Sequence, residues 1–178
     1  LGADINLMAA TSAPQSILGF IAIESFKNAA TALSEEESQQ GAEIMKNLKK
    51  NFEDTNEQYA KSVLLTSNTP QDIRQRIIDA YRGAYKPMGI PTMKQIFKMY
   101  TTEKELLPKL KFTLYLINVD YLPTHEEPLK HYLKNGYKLY RMEGTSHYPM
   151  IENPQVLNEL LQECIDEMTE GQKKTTIL

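Results

Sequence analysis

Two runs of apolar residues dominate the pattern of the chain. Residues 16–25 have the sequence SILGFIAIES, and residues 112–119 have the sequence FTLYLINV. Apolar runs of this length, with β-branched and aromatic residues, are typical of parallel strands that are covered on both faces. The alternating segment 137–142, YKLYRM, predicts a third strand.

Helical spacing of apolar positions accounts for most of the remaining chain. A short buried helix is predicted before the first strand, over 3–11. The long segment between the first two strands contains helical patterns and no strand pattern; the predicted helices cover 36–52, 55–65, 69–81 and 92–100, with a break at the prolines of 87–91. A helix follows the second strand, over 124–134, and a last helix with an apolar stripe begins at the Asn-Pro pair of 153–154.

This order of elements predicts an α/β protein with a parallel sheet, because strands that alternate with helices are joined by crossover connections. We assign residues 1–27 and 110–170 to the core, 28–109 to an all-helical insertion and 171–178 to a frayed tail. Three strands with apolar faces leave a sheet edge unpaired. We therefore expect an N-terminal portion of the same fold as a partner, and expect residues 1–178 alone to aggregate or stay partly unfolded.

Composition narrows the class of function. The chain has 20 Lys+Arg and 23 Asp+Glu, a formal net charge of -3, which argues against a nucleic-acid-binding protein. No apolar run approaches the roughly 18 residues of a membrane span, so we expect no membrane partner. The single cysteine, Cys164, excludes an intrachain disulfide and Cys-rich zinc sites and favours a cytoplasmic location. No metal-binding or nucleotide-binding motif occurs, so neither a metal nor another cofactor is expected.

Three residues at predicted strand ends are candidates for catalysis. His147 lies in the loop GTSHYP after the third strand, and loops at the carboxyl ends of parallel strands form active sites. Histidine titrates near neutral pH and can act as a general base. Asp120 follows the second strand and Glu24 follows the first. Either carboxylate could accept a hydrogen bond from the imidazole and orient it.

These residues resemble the α/β-hydrolase family. Residues 144–154, GTSHYPMIENP, are similar at each position to the family's histidine loop, G-x-x-H-[apolar]-x-[apolar]-x-E-x-P. The interval from Asp120 to His147 resembles the family's acid-to-histidine spacing, and the helical insertion stands where the family has its cap. The resemblance covers nearly the whole chain. It implies the C-terminal strands of the α/β-hydrolase fold with an inserted all-helical cap.

The resemblance also assigns roles to residues. The first residues, LGA, are similar to the end of the family's G-x-S-x-G nucleophile elbow. That implies a nucleophile immediately before Leu1 and places the backbone N–H of Leu1 in the oxyanion hole. His147 would be the base. Asp120 is the preferred acid, and Glu24 is the alternative because Ile117 stands where many members have a glycine three residues before the acid.

The implied function is that of a hydrolase of the serine esterase type, with a complete catalytic triad. Its substrate would be a small or medium ester or a related acyl compound, with an apolar part that contacts Met88, Met93 and Phe97 under the cap. Two alternatives stay open. One is a hydrolase-like ligand-binding or signalling protein without turnover. The other is a dehalogenase or epoxide hydrolase with an aspartate nucleophile, and the residue before Leu1 would distinguish them.

Overall fold

A computed structural model of the chain describes residues 1–175, with side chains as far as residue 170. Residues 176–178 of the predicted tail lie outside the described residues. The core contains α1 (Gly2–Ser12), β1 (Phe20–Ile23), β2 (Leu114–Val119), α7 (Glu126–Tyr132), β3 (Tyr137–Met142), α8 (Pro149–Glu152) and α9 (Pro154–Thr175). Between β1 and β2 lie α2 (Glu35–Lys50), α3 (Phe52–Tyr59), a π-helical turn (Ala60–Leu64), α4 (Gln71–Arg82), α5 (Lys86–Ile96) and α6 (Met99–Leu106).

The described strands form one parallel sheet in the order β1-β2-β3, as the apolar runs predict. Phe20 pairs with Leu114, which in turn pairs with Tyr137. All residues of the central strand β2 are buried. Because the strands are parallel, Ile23, Val119 and Met142 end β1, β2 and β3 at the same edge of the sheet. Side chains that follow these residues are therefore brought together.

Helices cover both faces of the sheet. On one face, Leu114 and Leu116 pack in a cluster with Leu7 of α1 and Leu129 of α7. The alternate residues of β2 pack on the other face with α9, whose Leu157 and Cys164 are buried. Gly19 precedes β1, and a Cβ there would lie 2.1 Å from the sulfur of Met168 on α9. A larger residue at this position would require the flexible Met168 side chain to move.

The segment between β1 and β2, which we call the cap, is helical in the structure, but its helices differ from those predicted. Ser34 and Glu37 form a capping box that begins α2. The predicted break at the prolines is wrong, because α5 runs continuously over Lys86–Ile96. Pro87 occupies the first turn, where no intrahelical N–H is needed, and Pro91 removes only one hydrogen bond from a helix that is held by packing.

Within the described residues, no helix combines the length and apolarity needed to cross a membrane.

Candidate active site

The segment that follows β1 has an unusual backbone. We call residues 24–30 the acid turn. Glu24, Phe26 and Ala30 have φ angles of 52°, 56° and 53°, in the left-handed region that residues other than glycine rarely adopt. Such conformations cost on the order of 1–3 kcal/mol each and persist where the surrounding structure enforces them. The left-handed turn directs the Glu24 side chain into the interior, where the residue is 8% exposed.

The Glu24 carboxylate is held at both oxygens. Its Oε1 accepts hydrogen bonds from the backbone N–H of Val119 and, at 3.0 Å, from Nζ of Lys27. Its Oε2 lies 3.2 Å from Nδ1 of His147. Burial raises the pKa of Glu24, but the bonds from His147, Val119 and Lys27 outweigh burial and bring this pKa below its usual value. The carboxylate is therefore ionised at neutral pH.

The loop after β3 positions His147, and we call residues 143–152 the histidine loop. Glu152 closes the loop on itself, because its carboxylate accepts hydrogen bonds from both the backbone N–H, at 3.1 Å, and the hydroxyl of Ser146. The backbone N–H of His147 donates to the carbonyl of Leu64 in the cap, at 3.1 Å. With Nδ1 directed at Glu24, the imidazole keeps Nε2 for proton transfer.

Solved structures that are similar to this chain in fold include an esterase, an α/β-hydrolase enzyme and a haloalkane dehalogenase. An esterase from Thermogutta terrifontis superposes with a TM-score of 0.70 over 94% of this chain and 62% of its own, at 13% identity. An α/β-hydrolase enzyme from a Medee basin deep-sea metagenome library superposes with a TM-score of 0.59 over 89% of this chain and 60% of its own, at 19% identity. A haloalkane dehalogenase loop variant from Bradyrhizobium elkanii superposes with a TM-score of 0.57 over 98% of this chain and 67% of its own, at 12% identity.

The chain has the α/β-hydrolase fold. The fold that the histidine loop implied is thereby confirmed. The chain spans only 62% of the length of the Thermogutta esterase. No protein-family model and no curated protein matches the sequence.

Within the α/β-hydrolase fold, the structure brings Glu24 rather than the preferred candidate Asp120 into contact with His147. The Asp120 side chain is exposed, and its Oδ1 accepts a hydrogen bond from the N–H of Gly144 at 3.3 Å. Its own N–H bonds to the carbonyl of Met142 and extends the β2–β3 ladder. The carboxylate in contact with the imidazole is that of Glu24, the alternative acid. Sequence spacing could not separate the two, because both residues follow strands that end at the same edge of the sheet.

Tyrosines that the sequence analysis did not single out surround His147. The hydroxyl of Tyr121 lies 3.4 Å from Nδ1, and the ring of Tyr148 stands edge-on to the imidazole at a centroid distance of 5.4 Å. Burial raises the pKa of both Tyr121 and Tyr148, so their hydroxyls stay neutral. In the cap, the rings of Tyr59 and Tyr81 stack on each other with a centroid distance of 6.4 Å. The adjacency of Tyr121 to Asp120 and of Tyr148 to His147 was the only signal in the sequence.

The cap residues that meet the histidine loop are not those predicted. Tyr148 and Ile151 of this loop pack on a cap cluster that contains Ala60, Leu65, Ile77 and Ile78. Met93 is buried in a different cluster with Leu48 and Phe52, against which Phe97 packs, and Met88 is 65% exposed. The structure therefore does not bring Met88, Met93 and Phe97 to the histidine loop. Helical spacing identified Met93 and Phe97 as apolar positions, which here hold the cap helices together.

Leu1 stands at the N-cap position of α1, and its carbonyl accepts a hydrogen bond from Ile5 at 3.1 Å. The role of its N–H in an oxyanion hole stays a prediction.

Among the described residues, no group of three or more His, Cys, Asp or Glu side chains could hold a metal ion.

Proposed function

We propose that this chain is the C-terminal part of a hydrolase in which His147 is the general base and Glu24 orients it. The substrate is a small or medium ester or a related acyl compound. One observation carries the proposal: a buried carboxylate from the end of β1 contacts Nδ1 of a histidine from the loop after β3, which leaves Nε2 for chemistry. Similarity in fold to an esterase supports it.

The proposed nucleophile is a serine immediately before Leu1, as the resemblance to the nucleophile elbow implies. Nε2 of His147 removes the serine proton as the oxygen attacks the acyl carbon, and then donates that proton to the leaving alcohol. The ionised Glu24 stabilises the imidazolium formed between the two steps. The N–H of Leu1 stabilises the oxyanion of the tetrahedral intermediate. The N-terminal portion that supplies the nucleophile would also pair with the open edge of β1.

The cap contributes to the proposed site through the cluster that meets the histidine loop. Its apolar residues and the stacked pair Tyr59 and Tyr81 lie on the cap side of Tyr148. An acyl chain bound beside His147 would contact this surface. Closing this side excludes water, which strengthens hydrogen bonds to the oxyanion.

The test is ester hydrolysis by the full-length protein. We expect turnover of p-nitrophenyl acetate and butyrate, labelling by a fluorophosphonate probe, and a loss of about 10³-fold or more in kcat for His147→Asn. The matched control is His131→Asn, since His131 is exposed on α7. Hydrolysis that survives His147→Asn would refute the proposal. Turnover without fluorophosphonate labelling would show that the nucleophile is not a serine and would favour another residue, such as aspartate.

A further inference from the structure

Lys27 lies where a lysine is costly. Its side chain is 13% exposed, and burial lowers the pKa of its ammonium group although the neighbouring Glu24 carboxylate opposes that effect. Nζ donates to the carbonyl of Val119 at 2.7 Å and to that of Leu122 at 3.2 Å, and it pairs with Glu24 Oε1 at 3.0 Å. An ammonium group has three N–H donors, and these three acceptors match them.

The contacts of Lys27 join the ends of two strands. Val119 is the last residue of β2, whereas Glu24 directly follows β1. The main chain of Lys27 takes part as well, since its carbonyl accepts a hydrogen bond from the N–H of His125 at 2.8 Å. Nζ also lies 4.2 Å from the centroid of the Tyr121 ring, the tyrosine whose hydroxyl approaches His147. Lys27 therefore contacts Glu24 itself, the end of β2 and the segment that follows β2.

A second side chain, Asn118, fixes the main chain of the acid turn. Its amide accepts from the N–H of Ser25 and donates to the carbonyl of Ser25, both at 3.0 Å. These bonds hold the turn but do not reach the Glu24 carboxylate. The terminal torsion of a glutamate is broad and roughly two-fold, so a fixed main chain alone leaves the carboxylate free to rotate. Orienting it requires donors on a particular oxygen.

Lys27 supplies one of these donors. The Val119 N–H and Lys27 Nζ both bind Oε1, and together they leave Oε2 for the imidazole. We propose that Lys27 is a positioning residue that holds Oε1 of Glu24 and thereby presents Oε2 to Nδ1 of His147. This inference rests on the proposed function, because it assigns a role within the proposed His147–Glu24 pair.

The test is proton NMR of the full-length protein. A histidine whose Nδ1–H donates to a carboxylate gives a resonance far downfield of the amide region. We expect this resonance in the wild type, and its absence from Glu24→Gln assigns it. Lys27→Met should lose it, because the remaining bond from the Val119 N–H does not by itself stop the carboxylate from rotating, and the Nδ1–H then exchanges with water. Lys27→Arg should retain it, since a guanidinium still donates to Oε1. The matched control is Lys130→Met, whose lysine pairs with Glu127 on the exposed face of α7.

The outcomes separate the two proposals. A wild type without the resonance would overturn the His147–Glu24 pair, and with it the role of Lys27. A resonance that disappears in Glu24→Gln but persists in Lys27→Met would overturn the role of Lys27 alone. In that case a lower melting temperature of Lys27→Met would reveal a purely structural lysine. Should Lys27→Met fail to fold, Lys27→Gln keeps a donor for one main-chain carbonyl without the charge, and the same loss is expected.

Discussion

Two strand ends at the same edge of the sheet each carry an acidic residue, and only one of them faces the histidine. Glu24, after β1, is buried, and its two oxygens contact Val119, Lys27 and His147. Asp120, after β2, is exposed and accepts one hydrogen bond from a loop N–H. A buried carboxylate needs several donors, whereas an exposed one is solvated by water. The donors, rather than the position after a strand, therefore distinguish the two acids.

The largest effect that tests this comparison is on catalysis. Glu24→Gln should lower kcat by about 10³-fold or more with little change in KM, because the imidazolium loses its counter-charge and the imidazole its orientation. Steady-state kinetics on p-nitrophenyl butyrate measures the effect. Glu127→Gln, an exposed substitution on α7, is the control that should leave kcat unchanged. If Glu24→Gln lowers kcat only slightly, Glu24 does not orient His147, and the proposed difference between Glu24 and Asp120 is refuted.

A cap substitution should act on stability instead of chemistry. Met93→Ala removes a buried side chain from the cluster with Leu48 and Phe52, so we expect a loss of about 2–5 kcal/mol in the free energy of unfolding. Activity on esters of increasing chain length should fall by a common factor, since this cluster does not meet the histidine loop. Chemical denaturation and an ester series measure both. The exposed Met88 is the control, and Met88→Ala should stay within about 0.5 kcal/mol. A loss of activity confined to long esters would instead indicate that Met93 lines the substrate pocket.

The far end of the acid turn should respond to pH. Oε2 of Glu103 accepts a hydrogen bond from the N–H of Ala30 at 2.6 Å. Burial and the neighbouring Asp4 carboxylate raise the pKa of Glu103 to about 7. Because the folded-state pKa lies above the ordinary value of 4.5, the associated stability is present below about pH 4.5 and is lost as the pH rises through about 7.

Replacement of Glu103 by an uncharged amide tests that pH dependence. Glu103→Gln should melt at a higher temperature than the wild type above about pH 7, and the advantage should disappear near about pH 4.5. Thermal melts across this range measure the difference. The control is Glu105→Gln, because Glu105 is exposed and pairs with Lys109. Parallel curves for Glu103→Gln and the wild type would show that Glu103 titrates normally.

The smallest effect is expected at the second strand end. Asp120→Asn keeps an oxygen that can accept the Gly144 hydrogen bond, so kcat should change by a few-fold at most and stability by about 0.5–1.5 kcal/mol. The same kinetic assay as for Glu24→Gln gives the comparison directly. A loss as large as that of Glu24→Gln would identify Asp120 as the acid after all.

The parts of the fold that depend on local pattern were predictable. The apolar runs located β1 and β2 because buried parallel strands leave little room for polar residues, and the histidine loop placed His147 at the correct edge. The choice between Glu24 and Asp120 was not predictable, since it depends on a left-handed turn and on Lys27 bonds to residues distant in sequence. Helical spacing likewise could not tell whether Met93 faces a substrate or another helix.

The hydrogen bond between the carbonyl of Leu64 and the N–H of His147 joins the cap to the histidine loop, and both of its atoms belong to the main chain. Such a bond does not depend on which side chain either partner carries. Substitutions in the cap can therefore change the side chains that face the histidine loop without removing the bond that holds the cap beside His147. The fold in this way separates an attachment that depends only on the backbone from a surface whose side chains can vary.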